Sequence, residues 1–284
     1  MLRRGLAVTG GVLVLVVGLV VGLIVLFVVK PGSVPPPPGC TAQPDGTATN
    51  TTNTTNEFGF TTEQTQNAAT IAAVGIQLGM PAHAVTIALA TAMQESKLRD
   101  LSGGDRDSAG LFQQRPSQGW GTYAQVTDPI HASAAFYDRL KAQPGWLDLS
   151  VTQAAQLVQH SATPDAYAQW ETAARTLAAA LTGETAAGLS CQNLTLTAPS
   201  ANLVTTAENE LGTATLTGTH PTGRGWAMAA WLVANATRFA IDQVTFDGRT
   251  WTATSGTWSA TGSADGMLTF HQTSPATPTS APSS

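Results

Sequence analysis

Apolar residues first form one long uninterrupted run. Residues 6–29 carry no charged side chain and are nearly all Val, Leu, Gly or Ile. A helix over this run would span roughly 36 Å, which exceeds the ~30 Å hydrocarbon core of a bilayer. Arg3 and Arg4 precede the run and only Lys30 follows it, so the positive-inside rule predicts a cytoplasmic N-terminus. No small-x-small cleavage site follows. We therefore predict a single uncleaved transmembrane helix in the cell membrane, with the remaining chain extracytoplasmic.

Helical spacing of apolar residues begins after a polar, proline-rich stretch. Residues 31–57 contain consecutive prolines and a Thr/Asn-rich segment, which predicts an extended tether. From 58 to 182 apolar residues recur at the helical period, interrupted by Gly79-Met80-Pro81 and by a long loop over 98–122. This predicts a mainly α domain with helices near 62–78, 81–95, 129–141, 152–160 and 165–181.

The pattern changes in the last third of the chain. Residues 225–239 have helical spacing, whereas 241–246 and 249–252 alternate apolar and polar positions. Asp247-Gly248 lies between these two runs and is a hairpin signal. A further strand is predicted at 267–270, which gives a small α+β domain. The predicted order is cytoplasmic start and anchor (1–30), linker (31–57), α domain (58–182), linker (183–200), α+β domain (201–272) and disordered tail (273–284).

Charge and cysteine content limit the classes of binding partner and indicate the cellular compartment. The net charge is -5, the pI is about 5.4, and no run of Lys or Arg is present, which argues against nucleic-acid binding. Cys40 and Cys191 lie on either side of the α domain. Two lone cysteines outside the membrane tend to pair, so we predict a disulfide between them, with two free thiols as the alternative.

A carboxylate closes the second predicted helix, in Gln94-Glu95-Ser96, and Gly110-Leu111-Phe112-Gln113 follows in the loop. This pair resembles the soluble lytic transglycosylase and goose-type lysozyme superfamily. In that superfamily a Glu-Ser dipeptide ends a helix, and a Gly-Leu-Met/Phe-Gln segment follows across the cleft at a similar separation. The resemblance covers roughly 58–182 and implies a lysozyme-like fold.

The resemblance implies cleavage of the β-1,4 bond between MurNAc and GlcNAc in peptidoglycan, with Glu95 as general acid. That reaction needs a carboxylic acid protonated near neutral pH, and partial burial raises the pKa of a glutamate. In transglycosylases the same glutamate then acts as a base, and the muramyl 6-hydroxyl closes a 1,6-anhydro ring. Hydrolysis by water, as in a lysozyme, is the alternative outcome, and a non-catalytic wall-binding or scaffold protein is the other. Neither a cofactor nor a metal is implied for this domain.

Several further residues are candidates for substrate binding. Ser96 contacts substrate or braces the helix end, and Gly110 either lets the glycan approach the backbone or permits a turn. Phe112 and Gln113 belong to the loop that the resemblance places across the cleft, and Gln113 is expected to hydrogen-bond sugar or peptide. The family's Tyr-Asn-Ala-Gly type segment is replaced here by Gln159-His160-Ser161, and Tyr167 is a candidate substitute for its tyrosine.

Four loop residues have two interpretations each. Asp105 and Asp107 could include a second carboxylate of a hydrolytic enzyme, but Arg106 between them favours ion pairing within the loop. Trp120 and Tyr123 either stack on sugar rings or pack the loop.

The last domain carries a second resemblance. Residues 225–236, followed by 244–251, resemble the C-terminal half of small wall-associated domains related to zinc D,D-peptidases. Those domains bind zinc through an upstream His and Asp and a final His-x-His. Here only His220 and His271 remain, which is fewer than the three protein ligands of a catalytic zinc site. We therefore expect a non-catalytic module that binds wall peptides or supports the first domain.

Overall fold

The computed structural model describes residues 37–44, 58–161 and 163–273, which belong to one compact unit beginning at Pro37. The predicted anchor at 6–29 and the tail from residue 274 lie outside the described residues. Within the described ranges, no helix is both long and apolar enough to cross a membrane.

The first half is helical, as its spacing predicts. Polar caps fix where several helices begin: the side chains of Thr61 and Ser150 accept hydrogen bonds from backbone N–H groups inside the first turn of their helices, and Asp128 caps another. The helices are α1 (Thr62–Gln77), α2 (Ala82–Ser96), α3 (Tyr123–Val126), α4 (Pro129–Lys141), α5 (Val151–Gln159) and α6 (Glu171–Leu181), with 3-10 turns at Pro116–Gln118, Trp146–Asp148 and Pro164–Trp170.

Helix α2 lies at the centre of this half. It packs against α1, α5 and α6, and most of its side chains are buried, including Val85, Ile87 and Leu89. Alanines fill much of the remaining surface of α1 and α2, which lets the helices approach closely. The last turn of a fully packed helix therefore carries Glu95 to the edge of the core.

The predicted disulfide is confirmed, and it lies in a small sheet. Strands β1 (Gly39–Ala42), β2 (Phe58–Phe60) and β3 (Leu189–Gln192) form an antiparallel sheet in the order β2-β1-β3. Cys40 is directly opposite Cys191 in the register, and the two are bonded. Each cysteine strand lies within a stretch that the pattern treated as a linker, so the ends of the helical half are paired rather than free.

The second half combines three helices with a five-stranded antiparallel sheet in the order β4-β8-β5-β6-β7. The predicted hairpin is present, with Phe246 opposite Arg249 and left-handed φ angles of 50° and 73° at Asp247 and Gly248. The elements are α7 (Leu203–Leu211), α8 (Thr222–Ala234), α9 (Ala236–Phe239), β4 (Gly218–Thr219), β5 (Ile241–Phe246), β6 (Arg249–Thr252), β7 (Trp258–Ala260) and β8 (Met267–Gln272).

Helix α8 joins the two halves. It packs against β5 on one side and against α1, α6 and β3 on the other. Two indoles add hydrogen bonds across this boundary: Trp251 donates to the Cys191 carbonyl at 3.2 Å, and Trp258 donates to the Leu189 carbonyl at 2.8 Å. The sheet half therefore supports the disulfide-bearing strand β3 directly.

Candidate active site

Glu95 occupies the last turn of α2, where the chain reverses sharply. Lys97 and Leu98 follow it with left-handed φ angles of 57° and 58°, and their N–H groups bond back to the carbonyls of Met93 and Ala92. Left-handed backbone is unfavourable for both residue types, so tertiary contacts must hold it. Those contacts come from α1, where the Gln64 amide donates to the Lys97 carbonyl and the Asn67 amide donates to the Leu98 carbonyl.

Ser96 braces this helix end. Its hydroxyl is buried, and it lies 2.7 Å from the Leu111 carbonyl and 3.1 Å from the Ala92 carbonyl. Of the two roles expected for Ser96, the contacts favour the structural one. The bond to Leu111 ties α2 to the loop that carries the second half of the motif.

The same loop is anchored by its apolar side chain. Phe112 is fully buried and stacks on Phe136 of α4 with ring centroids 4.8 Å apart, so its ring is a core residue rather than a sugar platform. Gly110 has a φ of 78°, and an added Cβ there would overlap the Val126 carbonyl oxygen. A glycine is needed at this position because the backbone turns here in close contact with α3.

The Glu95 carboxylate is half-buried and directly bonded to Tyr167, whose hydroxyl donates to Oε1 at 2.9 Å. Burial raises the pKa of Glu95 above its ordinary value. The hydrogen bond from Tyr167, the nearby Gln159 amide and the charge of Lys97 oppose that shift without cancelling it. The result is a carboxyl group that keeps its proton to higher pH than a solvated glutamate.

Tyr167 reaches Glu95 from the 3-10 turn at Pro164–Trp170 and is itself buried. Burial and the neighbouring carboxylate both raise the pKa of its phenol, so it stays protonated and donates. Tyr167, one of the residues singled out in the sequence, thus lies directly against the Glu95 carboxylate.

A cleft with a volume of about 610 Å³ opens at Glu95. Amides, hydroxyls, guanidinium groups and one indole line it, which suits a polar, hydroxyl-rich ligand. The lining residues are Glu95, Asp105, Ser108, Gln113, Arg115, Gln118, Trp120, Arg139, Val158, Gln159, His160 and Ser161.

Gln113 and Gln159 both line this cleft, and they come from two different segments of the chain. Gln113 has a left-handed φ of 48°, and its side chain is held by the Ser108 hydroxyl and the Gly110 carbonyl. Gln159 donates to the Phe112 carbonyl at 2.9 Å. His160, which follows α5 with a φ of 51°, also lines the cleft. Non-glycine residues in left-handed conformations thus cluster around Glu95, as strained positions at functional sites do.

The two loop aspartates have different surroundings. Asp107 accepts hydrogen bonds from the Ser117 N–H and hydroxyl and pairs with Arg115 at 2.9 Å, and these contacts hold the pKa of its carboxyl far below the ordinary range. Asp105 lines the cleft, is 91% exposed and pairs only loosely with Arg106 at 3.9 Å. The expected ion pairing within the loop is present, but Asp107 forms its ion pair with Arg115 rather than with Arg106.

Trp120 lines the cleft with Arg139 stacked on one face, the guanidinium carbon lying 3.6 Å from the ring centroid. Tyr123 is half-exposed, and its hydroxyl donates to the Ser102 carbonyl at 2.7 Å. Sequence reasoning missed Arg139, because a single arginine at a polar position of α4 carries no motif. Only the fold brings it beside Trp120.

Neither histidine of the second half takes part in a metal-like cluster. Among the described residues, no three of the ligand types His, Cys, Asp and Glu lie together. His271 is hydrogen-bonded to Asp242 at 2.7 Å across β8 and β5.

No model of a known protein family matches this chain, and no curated protein matches it.

Proposed function

We propose that this protein is a peptidoglycan-cleaving enzyme of the lytic transglycosylase type, with a lysozyme-like helical domain and Glu95 as its catalytic acid. One observation carries the proposal: a half-buried glutamate with a raised pKa, hydrogen-bonded to Tyr167, lines a polar cleft. General acid catalysis on a glycosidic bond needs that combination of retained proton and fixed position.

In the first step the protonated Glu95 carboxyl donates its proton to the leaving glycosidic oxygen, and the bond to the anomeric carbon breaks. The phenol of Tyr167 keeps the carboxyl group in one orientation through the hydrogen bond at Oε1. In the second step the Glu95 carboxylate accepts the proton of the muramyl 6-hydroxyl. The hydroxyl oxygen then bonds to the anomeric carbon, and a 1,6-anhydro sugar forms.

The surroundings of the aspartates bear on whether ring closure or hydrolysis follows the first step. A hydrolytic enzyme needs a second carboxylate as nucleophile or base. Asp107 is fully engaged by Arg115 and Ser117, which leaves Asp105 as the remaining carboxylate of the cleft. Because Asp105 lines the cleft, lysozyme-type hydrolysis is the second candidate reaction.

Two features fit an extracytoplasmic location. The Cys40–Cys191 disulfide is stable in an oxidising compartment outside the cytoplasm. The apolar run at 6–29 and the linker after it would hold the enzyme at the membrane while it reaches the wall.

Digestion of purified peptidoglycan by the full-length protein in detergent tests the proposal. Products read by mass spectrometry should include anhydro-muropeptides, and Glu95→Gln should lower the rate by at least about a hundredfold. Reducing ends in place of anhydro ends would indicate hydrolysis, and Asp105→Asn should then abolish it. Glu208→Gln, an exposed position on α7, is the matched control. Equal digestion by wild type and Glu95→Gln would exclude Glu95 as the acid.

A further inference from the structure

Arg139 differs from the other arginine of the cleft in its charge balance. Arg115 is paired with Asp107 at 2.9 Å, so its charge is compensated within the protein. No ion pair forms between Arg139 and any carboxylate of the described residues. Arg139 nevertheless lines the same cleft as Glu95.

The position of Arg139 is fixed. Its Nη2 atom donates to the carbonyls of Gln118 and Gly119, both at 3.1 Å, and its guanidinium plane lies over Trp120. These contacts join α4 to the 3-10 turn at Pro116–Gln118. A guanidinium held by backbone carbonyls and an indole has lost its conformational freedom before any ligand arrives, which lowers the entropic cost of binding.

Arg139 also has unused binding capacity. Arginine offers five N–H donors, and within the described residues only those on Nη2 have acceptors. Burial lowers the pKa of the guanidinium, although an arginine stays charged at neutral pH. A half-buried cation without a counter-charge is unfavourable, and an anionic ligand would relieve it.

The remaining titratable groups of the cleft do not supply that counter-charge. Glu95 and Asp105, the two carboxylates of the lining, form no ion pair with Arg139, and Asp105 is highly exposed beside Arg106. His160, the last titratable residue of the lining, brings no negative charge. An anion entering the cleft therefore has Arg139 as its uncompensated cationic partner.

We propose that Arg139, stacked on Trp120, binds a carboxylate of the substituent on the muramyl sugar, so that the cleft selects carboxylate-bearing glycan over neutral glycan. The inference rests on the proposed function, since it assumes that peptidoglycan enters this cleft. The carboxylate comes from the stem peptide or, in a peptide-free strand, from the lactyl group.

Binding to the full-length Glu95→Gln protein in detergent tests this without turnover. Three soluble ligands are compared by calorimetry: a disaccharide tripeptide, the same compound with its carboxyl groups amidated, and the peptide-free disaccharide with its lactyl carboxylate. The free acid should bind about 10- to 50-fold more tightly than its amidated form. Comparable binding of the peptide-free disaccharide would identify the lactyl group as the source.

Variants then assign the effect to Arg139. Adding Arg139→Gln should abolish the preference for the free acid over the amidated form, and Arg139→Lys should restore part of that preference. Arg175→Gln, on an exposed turn of α6, is the matched control. Equal affinity for the free and amidated compounds overturns the inference even if Arg139→Gln does not fold, while leaving the proposed function standing. Binding of none of the three ligands also overturns the inference, and the digestion of peptidoglycan then decides the proposed function separately.

Discussion

At the scale of single residues, the chemistry of the site depends on where Glu95 and Tyr167 are placed. Glu95 is one residue from the end of α2, so its backbone is held by the core while its carboxyl group reaches the cleft. Tyr167 is far away in sequence and buried, and it contributes one hydroxyl. Burial raises the pKa of the Glu95 carboxyl. The Tyr167 hydroxyl partly opposes that rise and orients the carboxyl group.

The raised pKa of Glu95 has a consequence for stability. Because the folded state disfavours the charged form, Glu95 destabilises the fold at pH values above its folded pKa and costs nothing below its ordinary value of 4.5. Glu95→Gln should therefore increase the melting temperature at pH 8, on the order of a few degrees. The gain should shrink as pH falls through the folded pKa and vanish below about 4.5. Thermal melts from pH 4 to 8 measure this, and a pH-independent difference would contradict it.

Tyr167→Phe removes the hydroxyl from Glu95 Oε1. That hydrogen bond lowers the pKa of Glu95, so its loss should move the alkaline limb of the pH–rate profile to higher pH. The maximal rate should fall on the order of tenfold, because the carboxyl group loses its fixed orientation.

Tyr137→Phe is the control for this substitution. Tyr137 is also buried, but its hydroxyl donates to the Ile71 carbonyl on α1. Its replacement should cost about 1 kcal/mol of stability and leave the pH profile in place. If both variants shift the profile alike, Tyr167 does not act through Glu95.

At the scale of elements, the loop between α2 and α3 is anchored to the helical core at three points. Ser96 fixes its middle to α2, Phe112 inserts into the core beside α4, and Gln114 donates to the Ala132 carbonyl at 3.0 Å. A long loop in a compact domain is usually functional, and this one forms a wall of the cleft. Its rigidity comes from buried contacts at three points rather than from regular secondary structure.

Gly110→Ala tests this rigidity. The residue has a φ of 78°, and a Cβ would overlap the Val126 carbonyl oxygen, so the substitution should destabilise the fold by about 3 kcal/mol. Denaturant unfolding measures the loss. Gly103→Ala, in the same loop with nothing near its Cβ position, should be nearly neutral. Equal stability of the two variants would mean that the loop relaxes freely around residue 110.

At the scale of the whole molecule, the disulfide joins strands that lie at the two ends of the helical half. Cys40 and Cys191 are 151 residues apart in sequence, so the bond restricts a long stretch of the unfolded chain. The double variant Cys40→Ser/Cys191→Ser should lose about 3–5 kcal/mol of unfolding free energy. Reductant should lower the melting temperature of the wild type and leave that of the variant unchanged. A wild type insensitive to reductant would contradict this stabilisation.

Local sequence predicted much of this architecture. The five longer helices of the first half, the hairpin around Asp247-Gly248 and the strand near Met267 follow from short-range periodicity and turn chemistry, because those forces act between neighbouring residues. The disulfide was predicted because the chain has two cysteines and because the compartment outside the membrane is oxidising. Strands β1 and β3 were not predicted. Each is too short to show an alternating apolar pattern, and each is stabilised by pairing with a neighbouring strand.

For the site, the sequence by itself predicted Glu95 as the candidate acid, its position at the end of a helix and the loop that follows it. The tertiary structure decided which residues surround that acid. It brought Tyr167 onto the carboxylate, buried Phe112 and Ser96 as supports, paired Asp107 with Arg115, and placed Arg139 over Trp120. The physical reason is that such contacts join segments far apart in the chain, and their geometry depends on how α2, α4 and α5 pack, which no local pattern encodes.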